Sequence, residues 1–253
     1  TSVLGGLLSH QLPNNSDGTI NINNIITSIN HSDDTHYAKT QLLCLENTHN
    51  VCYGTAIPKQ YFIDVKSAIN QYNLKLHIDG ARIFNASIAL NTDVKELTEP
   101  ADSISCCLSK GLSCPSGSLI IGDKGFITKA RRLRKMLGGG MRQAGILAAA
   151  GIYALDNMVN RLKEDHVNAR ALALAISDIS NIEIDLHKVS TNLIFFHLRY
   201  DKLSDTEFLN TLLKYDIKID DRGNRQFRMA THSGFSNNDI EKVVKIFKLI
   251  LTK

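Results

Sequence analysis

Lys110 lies in Cys106-Cys107-Leu108-Ser109-Lys110-Gly111-Leu112, just past an apolar run that ends at Leu108. Asp79 and Arg82, of Asp79-Gly80-Ala81-Arg82, close an earlier apolar run. A lysine, an aspartate and an arginine at the ends of neighbouring strands suit pyridoxal phosphate chemistry. The lysine would form a Schiff base with the cofactor, and an ionised aspartate would face the protonated pyridine nitrogen and keep the ring an effective electron sink. Chemistry of that kind acts on amino acids. The plainer readings are a solvated lysine at a strand end and a turn aspartate ahead of Gly80.

Apolar runs alternating with helical patterns are the elements that would hold these residues. Residues 41–46, 74–79 and 102–108 read as buried strands, and 58–72 as a helix between the first two. The alternation predicts an α/β fold with a mainly parallel sheet. In Leu74-Lys75-Leu76-His77-Ile78-Asp79 the two-residue period puts Leu74, Leu76 and Ile78 on one face and Lys75, His77 and Asp79 on the other. Asp79 then falls at the carboxyl end of its strand, where open α/β sheets bind ligands.

Further on, a short apolar run at 118–121 precedes two helical stretches, 124–136 and 142–156, separated by Gly138-Gly139-Gly140, which ends a helix and leaves an exposed loop. A helical pattern runs from Asn157 to Ile179. It is followed by strands at 182–186 and 193–198, a helix at 205–215, a strand near 226–230 and a closing helix from Asn237. A domain boundary is expected near residue 157, dividing the chain into 1–156, part of a large cofactor-binding domain, and 157–253, a small C-terminal domain. The asparagine-rich stretch 14–24 reads as a polar turn and a short extended segment.

Composition narrows the function classes. With 43% hydrophobic and 21% charged residues over 253 positions, the chain is globular rather than disordered. A net charge of +4 is too mild to imply a polyanionic partner, and no apolar stretch is long enough to cross a bilayer. Five cysteines, an odd number with no CxxC pair, indicate neither a disulfide framework nor a metal site, so reduced thiols in the cytoplasm are expected. The basic cluster Lys129, Arg131, Arg132, Arg134 and Lys135 lies opposite an apolar stripe of Phe126, Ala130, Leu133 and Met136. Without stacking aromatics it reads as a solvated helix face, not a nucleic-acid site. The first residues lack the pattern of a signal peptide, and the chain reads as beginning mid-protein.

Five stretches, in order along almost the whole chain, together resemble the threonine aldolases of the aromatic amino-acid β-eliminating lyase group. They are Leu45-Glu46-Asn47-Thr48-His49-Asn50, His77 to Ala86, Leu108 to Leu112, Arg134 to Gln143, and Arg228-Met229-Ala230-Thr231-His232. The resemblance implies the fold of the aspartate aminotransferase type (fold type I), with pyridoxal 5'-phosphate on Lys110 and Asp79. It implies cleavage of threonine or allo-threonine to glycine and acetaldehyde, a step in glycine formation and threonine breakdown. Arg82 and Arg228 match the family's substrate-carboxylate clamps, for which a guanidinium's paired donors suit the two carboxylate oxygens. His36 matches the histidine near the substrate β-hydroxyl, where an imidazole can take a proton. Lys135 and Arg142 match residues lent to a neighbouring subunit's cofactor phosphate, which implies a homo-oligomer, a dimer of dimers with shared active sites. His49 and His77 are expected to tie strand ends together.

The resemblance departs at the amino terminus, where family members carry a phosphate-binding loop and a stacking histidine ahead of the position of Thr1. Two other readings follow: an inactive fragment acting as an oligomerisation partner, or a related pyridoxal lyase that eliminates a β-substituent. The 253 residues alone are expected to bind cofactor poorly and to expose apolar surface.

Overall fold

The computed structural model describes residues 2–31 and 34–251. Two short helices, α1 (Ser2–Gly5) and α2 (Ile22–Thr27), precede the strand β1 (Leu42–Glu46). Then come α3 (Lys59–Asn70), β2 (Lys75–Gly80), α4 (Ile83–Leu90), α5 (Val94–Thr98), β3 (Ser103–Cys107) and β4 (Ser118–Gly122). The four strands form one sheet in the order β1-β2-β3-β4; β1, β2 and β3 run parallel, and β4 pairs antiparallel with β3.

The first sheet is built around the alternation seen in β2. Leu76 and Ile78 are fully buried against Phe62, Val65 and Ile69, which recur at helical spacing along α3. The opposite face carries Cys44, Glu46, His77, Asp79 and Ser105, polar or small residues left accessible at the carboxyl ends of the parallel strands. Asp102, just ahead of β3, ties the layers together: it accepts from Lys66 of α3, from Lys75 at 3.0 Å and from the Leu76 backbone N–H at 2.8 Å.

Helices α6 (Lys124–Met136), α7 (Gly145–Asn157) and α8 (Leu162–Ser177) lead to the second sheet. That sheet contains β5 (Ile182–Glu183), β6 (Leu193–Leu198), β7 (Asp220–Asp221) and β8 (Gln226–Ala230), all antiparallel in the order β5-β6-β8-β7. Helix α9 (Asp205–Leu213) precedes β7 and α10 (Asn237–Leu251) closes the chain. Phe196, Phe208, Phe227 and Phe247 meet at ring distances of 5.2 to 5.8 Å and fill the core between this sheet and its helices. A capping box starts α9: Ser204 and Glu207 satisfy each other's exposed donors and acceptors.

Several expectations are corrected. The helical pattern from Asn157 to Ile179 is broken, with α7 ending at Asn157 and α8 starting at Leu162, because Met158 to Arg161 form a turn. The strand expected at 182–186 is two residues long and gives way to a 3-10 turn at Leu186–Lys188, where Asp185 caps the His187 N–H. Ile22 belongs to a helix capped by Asn21, not to an extended segment. The apolar stripe of α6 forms but buries no residue; Phe126 packs against Gly122 while Leu133 and Met136 stay exposed.

Candidate active site

Asp79 sits one residue from the end of β2, opposite Glu46 of β1 and Ser105 of β3. Its Oδ1 accepts from the Ala81 N–H at 3.1 Å and from the Ser105 hydroxyl at 3.3 Å, so one carboxylate oxygen is held and the group still faces outward. Gly80 makes the turn possible: a Cβ there would stand 2.7 Å from the Ser105 carbonyl. Behind Asp79, His77 bonds Ser103 Oγ at 2.8 Å, as expected of a histidine tying strand ends; burial draws its pKa below the ordinary value while the Asp79 charge opposes.

Lys110 lies in the tight turn beyond β3. The Leu108 N–H donates to Gly117, the Cys114 N–H to Leu108, and the Ser113 N–H to the Lys110 carbonyl, each at 2.9 to 3.0 Å. Leu108 and Leu112, on either side of the lysine, are buried in a small apolar cluster with Cys114, Ala154 and Leu162. The backbone is thereby pinned from below while Lys110 itself is exposed. At Gly111 a Cβ would come within 2.7 Å of Leu162 and 3.1 Å of Asn85 Oδ1, a close approach that a larger residue would push apart.

Arg82 and Arg228 converge from a helix start and a strand. Arg228 is on β8 and Arg82 caps the start of α4, yet both guanidiniums donate to the side-chain oxygen of Asn50, Arg228 Nη1 at 2.5 Å and Arg82 Nη1 at 3.4 Å. Arg228 also pairs with Asp220 of β7. Burial, and then the charge of Arg228, draw the Arg82 guanidinium below its ordinary pKa, with Glu46 opposing. Two guanidiniums held this close offer paired donors of the kind that suit a carboxylate.

His36 stands in an exposed turn ahead of β1, with Nδ1 2.7 Å from Asp34 Oδ1, and meets Asp34 rather than the arginine pair. Lys135 lies at the C-terminal end of α6 and Arg142 in the turn beyond the glycines, both exposed. Asn50, Ser105 and Asp220 went unassigned in the sequence. Asn50 lies inside the Leu45 to Asn50 stretch, but nothing in its spacing shows that it meets an arginine 178 positions away.

The donor set fits pyridoxal phosphate: an exposed carboxylate at the end of β2 for the ring nitrogen, and an exposed primary amine in the turn beyond the adjacent strand for the aldehyde. A model of the β-eliminating lyase family matches residues 1–199. Low-specificity L-threonine aldolase 1 of Arabidopsis thaliana is 38% identical over 249 residues, 98% of this chain and 70% of that protein. Low specificity L-threonine aldolase of Escherichia coli O157:H7 is 46% identical over 194 residues, 77% of this chain and 56% of that protein. A solved structure of a threonine aldolase from Leishmania major superposes with a TM-score of 0.72 at 20% identity, over 93% of this chain and 68% of that one. The architecture is that of the pyridoxal-phosphate-dependent fold type I enzymes.

Proposed function

The chain belongs to the β-eliminating lyase family, in its threonine aldolase group, and from that premise we propose that the protein cleaves L-threonine or L-allo-threonine to glycine and acetaldehyde. The observation that carries the reading is the convergence of Arg82 and Arg228 on one oxygen of Asn50, in the loop anchored to Glu46, the β1 partner of Asp79. Pyridoxal phosphate, when bound, supplies the electron sink for the bond broken at Cα.

The residues divide the remaining work. Lys110 would hold the cofactor through its amine. The Asp79 carboxylate, steadied by Ser105 and the Ala81 N–H, would face its ring nitrogen. Arg82 and Arg228 grip the substrate carboxylate, which fixes which bond at Cα is aligned for cleavage. His36 receives the proton of the β-hydroxyl, with Asp34 orienting its ring. Lys135 and Arg142 serve the cofactor phosphate of a neighbouring copy in a homo-oligomer; their exposure supports that role. The free thiols agree with a cytoplasmic setting, and among the described residues no helix is long and apolar enough to cross a membrane. Residues 1–156 form the cofactor-binding part and 157–253 the small domain, a division supported by the separate aromatic core of the second sheet.

The names of the relatives favour carbon–carbon cleavage over β-elimination. Product analysis of the cofactor-loaded protein decides: threonine should yield equal amounts of acetaldehyde and glycine, whereas ammonia and a keto acid would overturn the reading. Borohydride reduction followed by peptide mapping should place the cofactor on Lys110.

A further inference from the structure

The two arginines meet at Asn50. Its backbone N–H donates to Glu46 Oε1 at 3.2 Å, which anchors the loop to the end of β1. Its side-chain oxygen accepts from Arg228 Nη1 and Arg82 Nη1. We infer that Asn50 is a positioning residue that braces both guanidiniums and, by being neutral, keeps the anion site selective for a carboxylate; the inference rests on reading Arg82 and Arg228 as the clamp.

Like-charged guanidiniums repel, and the two come from β8 and from the start of α4, elements with no shared backbone. An acceptor between them offsets that repulsion and fixes their orientation. The acceptor's charge then decides the affinity of the site. Arg228 already pairs with Asp220, and Glu46 lies close enough to Arg82 to oppose the drop in its pKa. Two cations thus face two carboxylates, and a third carboxylate at position 50 would make the cluster anionic. An aspartate would turn hydrogen bonds that the arginine charges already strengthen into full ion pairs, and so would also occupy the donors that an incoming carboxylate needs. An amide oxygen holds the same donors without a charge of its own and leaves the cluster neutral.

Two isolated changes separate this role from simple loop support. Asn50→Asp preserves size and the acceptor oxygen, whereas Asn50→Ala removes the oxygen; a merely structural asparagine tolerates aspartate better than alanine. The brace reverses that order. In the cofactor-loaded protein, Asn50→Asp should raise KM for threonine about tenfold or more with kcat within about threefold, and Asn50→Ala should raise KM about threefold. The binding readout needs no turnover: the Kd of glycine should weaken in the same order, Asp more than Ala, while that of methylamine, which is glycine without its carboxylate, should move less than about twofold. Aspartate milder than alanine, or parallel loss of glycine and methylamine, would overturn the brace. A parent protein that binds glycine no better than methylamine would overturn the clamp and the brace together. Failure of the parent to cleave threonine counts against the reaction alone, since the binding order still decides the role of Asn50.

Discussion

The Asn85 amide donates to Nε2 of His166 at 3.0 Å, joining α4, the helix that begins beside Arg82, to α8, the helix under the second sheet. Asn85 is 2% exposed and also lies 3.4 Å from Asn192 Oδ1, and Asn192 in turn donates to the Thr231 carbonyl three residues beyond Arg228. The elements that carry Arg82 and Arg228 are therefore joined through buried polar groups as well as through Asn50.

Because Asn85 donates to it, His166 Nε2 is unprotonated, and burial holds its pKa down at about 4. The unfolded chain, with an ordinary histidine near 6.5, binds more protons than the folded one between those values. Stability is thus fully present above about pH 6.5 and falls as pH drops towards 4, by at most roughly 3 kcal/mol for this ring. Denaturant unfolding at pH 7 and pH 4.5 checks this. His166→Gln keeps an acceptor for Asn85 and should flatten the slope; an unchanged slope would show that the loss comes from other groups.

Asp102 should act in a lower window. Burial pushes its carboxyl up, but Lys66, the Leu76 N–H and Lys75 outweigh that and hold it at about 2. The folded value is depressed, so the contribution is present above about pH 4 and lost as pH falls through 2, with a size of about 2 kcal/mol before discounting for partial exposure. Asp102→Asn should lower the unfolding free energy by about 1 to 2 kcal/mol at neutral pH and show little further loss between pH 4 and 2. A neutral variant as stable as the parent at pH 7 would contradict the ledger.

The first sheet was legible because β2 alternates cleanly: one apolar face under α3 and one polar face ending at Asp79. The Lys110 turn was legible from its glycine and the leucines on either side. The strand expected at 182–186 misled because Asp185 caps a turn where a ladder would continue, a side-chain choice that hydrophobic spacing does not record. Asn50 was hidden for a different reason. Its partners, 32 and 178 positions away, are brought together only when both sheets have formed, and a single asparagine in a loop carries no period.

His36 is 85% exposed at its side chain, so replacing it should leave stability within about 0.5 kcal/mol. If it takes the β-hydroxyl proton, His36→Ala should lower kcat for threonine on the order of a hundredfold. Glycine has no hydroxyl to deprotonate, and its affinity should be unchanged. Calorimetric unfolding, threonine turnover and glycine binding on the same preparation separate the cases: full turnover in the variant would remove His36 from the mechanism.

Arg228 and Asp79 should fail in opposite ways. As a clamp, Arg228 would grip a carboxylate that carries the same charge before and during bond cleavage, so its contribution would be equal in the ground and transition states and appear in KM. Arg228→Ala should cost about 1.5 to 3 kcal/mol in kcat/KM, chiefly through KM. It also leaves Asp220 without this guanidinium, so the milder Arg228→Lys tests whether any loss of kcat comes from that disturbance. Asp79, as the partner of the ring nitrogen, would act on charge that appears only as the Cα–Cβ bond breaks. Asp79→Asn should therefore depress kcat with glycine affinity nearly intact, because a neutral amide no longer holds a proton on that nitrogen. Ser105→Ala removes the hydroxyl that steadies Asp79 Oδ1 and should reproduce a small part of the same loss. Steady-state kinetics with glycine binding on all four variants provides the check. An Asp79→Asn protein that turns over like the parent would remove that carboxylate from the chemistry.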